Sequence, residues 1–107
     1  MSLRLGPEER KRLRGALMKR GRVLSTLLSE VLAGKQPPSL AAMMAARPGK
    51  RPEEVLRLAL DQVEERRKLI DADDDAFGRC QVCGEDLGVA ALNEVPWADR
   101  CHQHAGE

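Results

Sequence analysis

Two stretches of the chain carry apolar residues at helical spacing. In the first, Leu13, Leu17, Leu24, Leu27, Leu28, Val31 and Leu32 fall close to one face, a stripe that predicts an amphipathic helix. Pro7 suits a first turn, Glu8 and Glu9 suit the positive end of the helix dipole, and Gly34 suits a stop, so the helix is expected over residues 7–33. Such a rod is roughly 40 Å long at 1.5 Å per residue, and Gly15 and Gly21 weaken it by up to about 1 kcal/mol each relative to alanine. The second stretch repeats Val55, Leu56, Ala59, Leu60, Val63 and Ile70, and opens with Pro52, Glu53 and Glu54. Its stripe can cover the first, which predicts an antiparallel, coiled-coil-like hairpin. Beyond Ile70 the run Asp71-Ala72-Asp73-Asp74-Asp75 puts acid at the negative end of the dipole, so this helix is expected to fray.

Between the two, over residues 35–51, the pattern breaks. Pro37 and Pro38 interrupt the helix, Ser39 is placed to cap a short new one through Leu40-Ala41-Ala42-Met43-Met44-Ala45-Ala46, and Pro48 closes it by disfavouring the helical conformation at Arg47. This is the expected tip of the hairpin. Met43 and Met44 are expected to pack ordinarily; the alternative is an adaptable contact surface for another protein.

Composition limits the core. The chain has 107 residues, 33% of them charged and 2% aromatic, too little apolar bulk for a large core, so a staple is expected. No apolar run approaches the roughly 20 residues of a membrane span. Residues 1–5 lead directly into charge rather than into an apolar signal segment, so the expected location is the cytoplasm.

Charge is near balance in total, but residues 1–51 hold 12 Lys/Arg against 3 Asp/Glu and residues 52–107 hold 6 against 14. A basic arm for nucleic acid, centred on Arg10, Lys11, Arg12, Arg14, Lys19, Arg20 and Arg22, is one reading. The favoured one is a basic first helix lying along an acidic second, because no aromatic residues interleave with the cations to stack on bases.

The staple is legible in the last third. All three cysteines and both histidines fall in Cys80-Gln81-Val82-Cys83-Gly84 and Cys101-His102-Gln103-His104, with 17 residues between Cys83 and Cys101. C-x-x-C followed by C-x-x-H is a zinc-site layout, since two tight turns offering two side chains each supply a tetrahedron. Gly84 fits a knuckle that needs positive φ. Cys80, Cys83, Cys101 and His104 are the expected ligands of one structural Zn²⁺. His102 competes for the fourth place but leaves no turn after Cys101. The alternatives are a redox C-x-x-C pair, which expects a neighbouring βαβ pattern not seen here, or free thiols. Four protein ligands leave no open position for catalysis.

The residues around these ligands carry a resemblance. Phe77-Gly78-Arg79-Cys80-Gln81-Val82-Cys83-Gly84-Glu85-Asp86-Leu87, then Leu92, Pro96, Ala98-Asp99 and Cys101, resembles the zinc finger of the DksA/TraR family of bacterial transcription regulators, over about 28 residues from 77 to 104. The resemblance implies a helical hairpin over residues 1–76, a zinc finger over 77–107, and RNA polymerase as partner. It also implies a hairpin that projects from the zinc-bearing end into the secondary channel of polymerase, with a D-x-x-D-x-A motif at its tip. The departures are specific. His104 stands where the family usually has cysteine, Ala91 where it usually has arginine, and the tip carries no acid pair. Asp71, Asp74 and Ala76 spell the motif at the base instead, a coincidence in an acid-rich stretch, and the family's C-terminal helix has no counterpart after His104.

No nucleophile system separable from the metal ligands and no phosphate-binding glycine loop is present, so the chain reads as a non-enzyme. The leading expectation is a DksA/TraR-like regulator that binds RNA polymerase without the usual acidic-tip activity. A zinc-stapled module docking another protein through Met43 and Met44, and a nucleic-acid binder using the basic helix, are the alternatives.

Overall fold

The computed structural model describes residues 5–105. Most of the opening stretch on which the expectation of no signal segment rests, residues 1–4, lies outside the described residues, as do 106–107. Four helices follow in order: α1 (Pro7–Leu32), α2 (Leu40–Ala46), α3 (Pro52–Asp71) and α4 (Val89–Glu94). Among the described residues there is no strand, only an isolated antiparallel bridge between Arg79 and Asp86.

The ends of α1 form as its sequence dictates. The Gly6 amide donates to Glu9 Oε1 at 3.1 Å, which satisfies a donor just ahead of Pro7. At the other end Gly34 takes φ +87°, and the Lys35 and Gly34 amides donate to Glu30 O at 2.9 Å and Val31 O at 3.0 Å, the two bonds of a Schellman cap. Leu13, Leu17, Leu24 and Leu27 are buried on α1, and Val55, Leu56, Val63 and Ile70 on α3. Leu32, expected on the same apolar face, is instead exposed, because it belongs to the last turn, beyond the cover α3 gives.

The two long helices pair in opposite order. Arg10 meets Asp73 at 2.9 Å, Arg14 meets Asp71, and a methyl placed on Gly21 would touch Val63 Cγ1 at 3.7 Å. The seam holds one residue that its periodicity did not announce. Arg66, between Val63 and Ile70, is 2% exposed.

The foot of α3 departs from expectation. It closes rather than fraying: Asp73 adopts φ +54°, and the Asp74 and Asp73 amides reach Leu69 O at 2.9 Å and Ile70 O at 3.2 Å. The acid that opposes the dipole is met by Arg10 and Arg14 of α1 and, within α3, by Arg67, whose Nη1 lies 3.0 Å from Asp71. Ser39 also behaves differently, making no side-chain cap on α2; the turn is closed instead by Leu40 and Ala41 amides on Pro37 O and Pro38 O. Leu40 is buried, and Met43 and Met44 are half-buried against the core. α2 therefore folds onto α3, with Met43 and Met44 packed partly against the core.

The segment after α3 packs along the helices. Phe77 and Leu92 join the same buried cluster as the leucines of α1. Arg12 Nη2 donates to Asn93 Oδ1 at 2.7 Å, the Arg20 guanidinium lies 4.3 Å from the centre of the Trp97 ring, and Gln81 Nε2 donates to Glu65 Oε1 at 2.8 Å. The extents are 47 × 27 × 20 Å, and α1 alone accounts for about 39 Å of the longest. A hairpin standing clear of the cysteine-bearing segment, which the resemblance implied, is thus not the arrangement found: Arg47, at the end of α2, shares a cleft with residues 95–105.

Candidate metal centre

The first knuckle follows from Gly84. It takes φ +78° with its amide on Cys80 O at 2.9 Å, a turn that most residues with a Cβ resist. Cys80 N–H donates to Glu85 O and Leu87 N–H to Gly78 O, each at 2.9 Å, so the chain doubles back around the Arg79–Asp86 bridge. The second knuckle is a turn in which His104 N–H donates to Cys101 O at 3.0 Å. The two are tied together by Gln81 N–H on Asp99 O at 2.8 Å and by Arg100 Nη1 on Gln81 Oε1 at 2.6 Å.

These turns gather the four expected ligands. The ligand atoms of Cys80, Cys83, Cys101 and His104 all lie within 4.8 Å of one another. Cys83 Sγ is 3.8 Å from Cys101 Sγ, and His104 Nδ1 is 3.6 Å from Cys80 Sγ and 3.2 Å from Cys101 Sγ. A tetrahedral ion with metal–sulfur bonds of about 2.3 Å and a metal–nitrogen bond of about 2.05 Å requires sulfur–sulfur edges of about 3.8 Å and sulfur–nitrogen edges of about 3.6 Å. Two of these distances match, and the third is short because Cys101 and His104 are joined through a single turn. A bonded pair of sulfurs would sit at about 2.05 Å, and all three cysteines are free thiols. His102 is exposed.

The electrostatics point the same way. Burial pushes the Cys80 thiol up, but the backbone amides of Cys101, Cys83 and Val82 together with the Cys83 side chain outweigh it and bring the thiol down to about 6. For Cys83 the Glu85 amide favours the thiolate, yet burial and the neighbouring Cys80 and Cys101 leave its pKa raised. One thiolate forms readily and the next is opposed by the first, so holding all the sulfurs as thiolates at this spacing would take a cation. The cluster can hold a metal ion.

Elsewhere the expected motifs are otherwise engaged. α2 carries no acid. Asp71 binds Arg14 and Arg67, and Asp74 Oδ1 accepts the Ala76 amide at 2.8 Å. Sequence reading missed α4, the burial of Arg66 and the Arg20–Trp97 contact. α4 is too short for its spacing to declare it, and the Arg20–Trp97 contact joins residues far apart in the chain.

Fold and site together define a mainly helical protein with a Cys₃His cluster able to hold a metal ion. Over 45 residues the chain is 40% identical to the RNA polymerase-binding transcription factor DksA of Haemophilus influenzae, a match that takes in 42% of this chain and 30% of that protein. The chain thus spans under a third of the length of the curated relative it matches. No family model matches the chain, and no solved structure matches it. The likeness and the cluster support a distant DksA-like relationship. Among the described residues no helix is long and apolar enough to cross a membrane.

Proposed function

We propose that this protein is a DksA-like, non-enzymatic transcription regulator that binds RNA polymerase in the cytoplasm, with one structural Zn²⁺ held by Cys80, Cys83, Cys101 and His104. The observation that carries the reading is a Cys₃His cluster able to hold a metal ion in a chain that has sequence likeness to a polymerase-binding factor. Zinc is the ion of choice because thiolates and one imidazole at tetrahedral spacing suit it better than harder cations. Residues 1–76 form a coiled-coil-like antiparallel hairpin and residues 77–107 a zinc finger, and the two act as one unit because the finger is braced on α1 and α3.

The expected activity differs from that of a regulator with an acidic tip. α2 offers Leu40, Met43 and Met44 to the core and no carboxylate outward, so binding without acidic-tip chemistry is the proposed mode. The test is titration of the zinc-loaded protein against core RNA polymerase at two salt concentrations, with DNA alone for comparison. Saturable binding to polymerase is expected; its absence would end the proposal. The zinc reading has its own check: metal analysis should find one equivalent in the wild-type chain and a loss in Cys101→Ser, and retention in that variant would refute the ligand set.

A further inference from the structure

Some cations of α1 are answered by a partner and others, Lys11 and Arg22 among them, have no ion pair among the described residues. Arg10 and Arg14 are matched by Asp73 and Asp71, and Arg12 by Asn93. Further along, Lys19 is exposed with no ion pair among the described residues, Arg47 at the end of α2 is in the same state, and Arg20 has its Nε buried without a hydrogen-bond partner. Burial without a carboxylate lowers the pKa of Arg20. Arg20 is half-buried and carries no carboxylate partner among the described residues, so its guanidinium is a charge that an incoming acceptor at its accessible side would answer.

Two clefts flank Arg20. One, of about 190 Å³, has Met43, Val55 and Ala59 on its apolar side and Arg47 at its edge. The other, of about 280 Å³, is lined by Ala16, Val23, Pro96 and Trp97, with Lys19 at its edge. No carboxylate lines either. Both are smaller than the roughly 300–1,000 Å³ of ordinary small-molecule sites, and each suits one or two side chains. The neighbouring cleft beyond Arg47 is different, since Asp61, Glu65 and Asp99 line it and would repel an anion.

The structure assigns this face as a docking site for an acidic, amphipathic segment of a partner protein: a carboxylate seated on Arg20 between two apolar anchors, one in each cleft, with Lys19 and Arg47 at the rims. Charge complementarity selects the acid, and the two apolar pockets select its neighbours. Single-stranded nucleic acid fits less well, because the guanidinium of Arg20 covers the Trp97 face on which a base would stack. The assignment does not require polymerase to be the partner, and it stands or falls independently of the polymerase titration.

Trp97 is the single tryptophan of the chain, and it lies beneath Arg20, so its emission reports on the site directly. The full zinc-loaded chain is titrated with a peptide of about a dozen residues in which glutamates alternate with leucines. The controls are the same peptide with lysine in place of glutamate, an all-glutamate peptide, and oligothymidylate; anisotropy of labelled probes gives a second readout. Saturable binding of the Glu-Leu peptide is expected, weaker with the all-glutamate peptide and absent with the Lys-Leu peptide. Arg47→Gln, at an exposed position where helicity is expected to be unchanged by far-UV circular dichroism, should weaken it about tenfold, and Arg20→Met by more. No saturable response to the Glu-Leu peptide, equal affinity for the Lys-Leu or all-glutamate peptide, unchanged affinity in Arg47→Gln, or tighter binding of oligothymidylate would each overturn the assignment.

Discussion

Arg66 occupies a position where the seam of a helical hairpin ordinarily takes leucine. Its Nη2 reaches Glu65 Oε1 at 3.2 Å, while Nε and Nη1 have no hydrogen-bond partner. A buried guanidinium so incompletely matched is dearly desolvated, and an apolar side chain of similar length removes that cost without opening a cavity. Arg66→Met should therefore hold or raise Tm, whereas Arg66→Ala should lower stability by about 2–4 kcal/mol through the lost volume. A fall of more than about 2 kcal/mol in the methionine variant would show that the charge itself is needed. Asp71 illustrates the opposite case, a charge well answered. The Arg14 guanidinium, hydrogen-bonded to it, holds its carboxyl below the usual range; burial opposes this and Arg67 adds to it. Because the folded pKa is the lower one, this contribution to stability is present above the unfolded value and is lost as pH falls through the folded value. In Arg14→Met the Asp71 titration, followed by NMR, should move up toward the ordinary carboxylate range. An unmoved midpoint would mean that Arg67 alone suffices.

Helix boundaries were legible where one residue type dictates the backbone. Pro7 and Pro52 opened α1 and α3, and Gly34 closed α1. Gly34→Ala, forced into φ +87°, should cost about 1 kcal/mol or more in thermal unfolding even though open space surrounds the site; no loss would mean that the cap is dispensable. The knuckle was legible for the same reason, with Gly84 at φ +78°. What escaped reading was decided by contacts across the chain. The end of α3 looked prone to fray because acid opposes the dipole, yet cations supplied by α1 allow Asp73 to close the turn. α4 is six residues long, too short for periodicity to declare it, and it is held by Leu92, which is 1% exposed. Ser39 had the right chemistry for a cap, but the proline carbonyls at 37 and 38 had already closed the turn.

At the scale of the molecule, the charge imbalance between the halves is answered in part where Arg10 and Arg14 of α1 meet Asp73 and Asp71 of the second half, while Lys19 and Arg47 have no ion pair among the described residues. The cysteine-bearing segment is braced against both long helices, so a metal at its centre should hold more than itself in place. Chelation is expected to unfold residues 77–104, release Trp97 from Arg20 and shift its emission to the red, while far-UV circular dichroism keeps much of the α1–α3 signal. Unchanged Trp97 emission on complete metal removal would count against the cluster as a staple. The bracing also sets a timetable for synthesis. Arg14 finds its carboxylate 57 residues further along the chain, and Arg12 finds Asn93 only after 81. At about 5–20 residues per second on the ribosome, the cationic segment that becomes α1 should spend several seconds close to ribosomal RNA before the segments that cover it have been made. A nascent chain stalled before residue 71 should therefore cling to RNA in a salt-sensitive manner that the finished protein does not share.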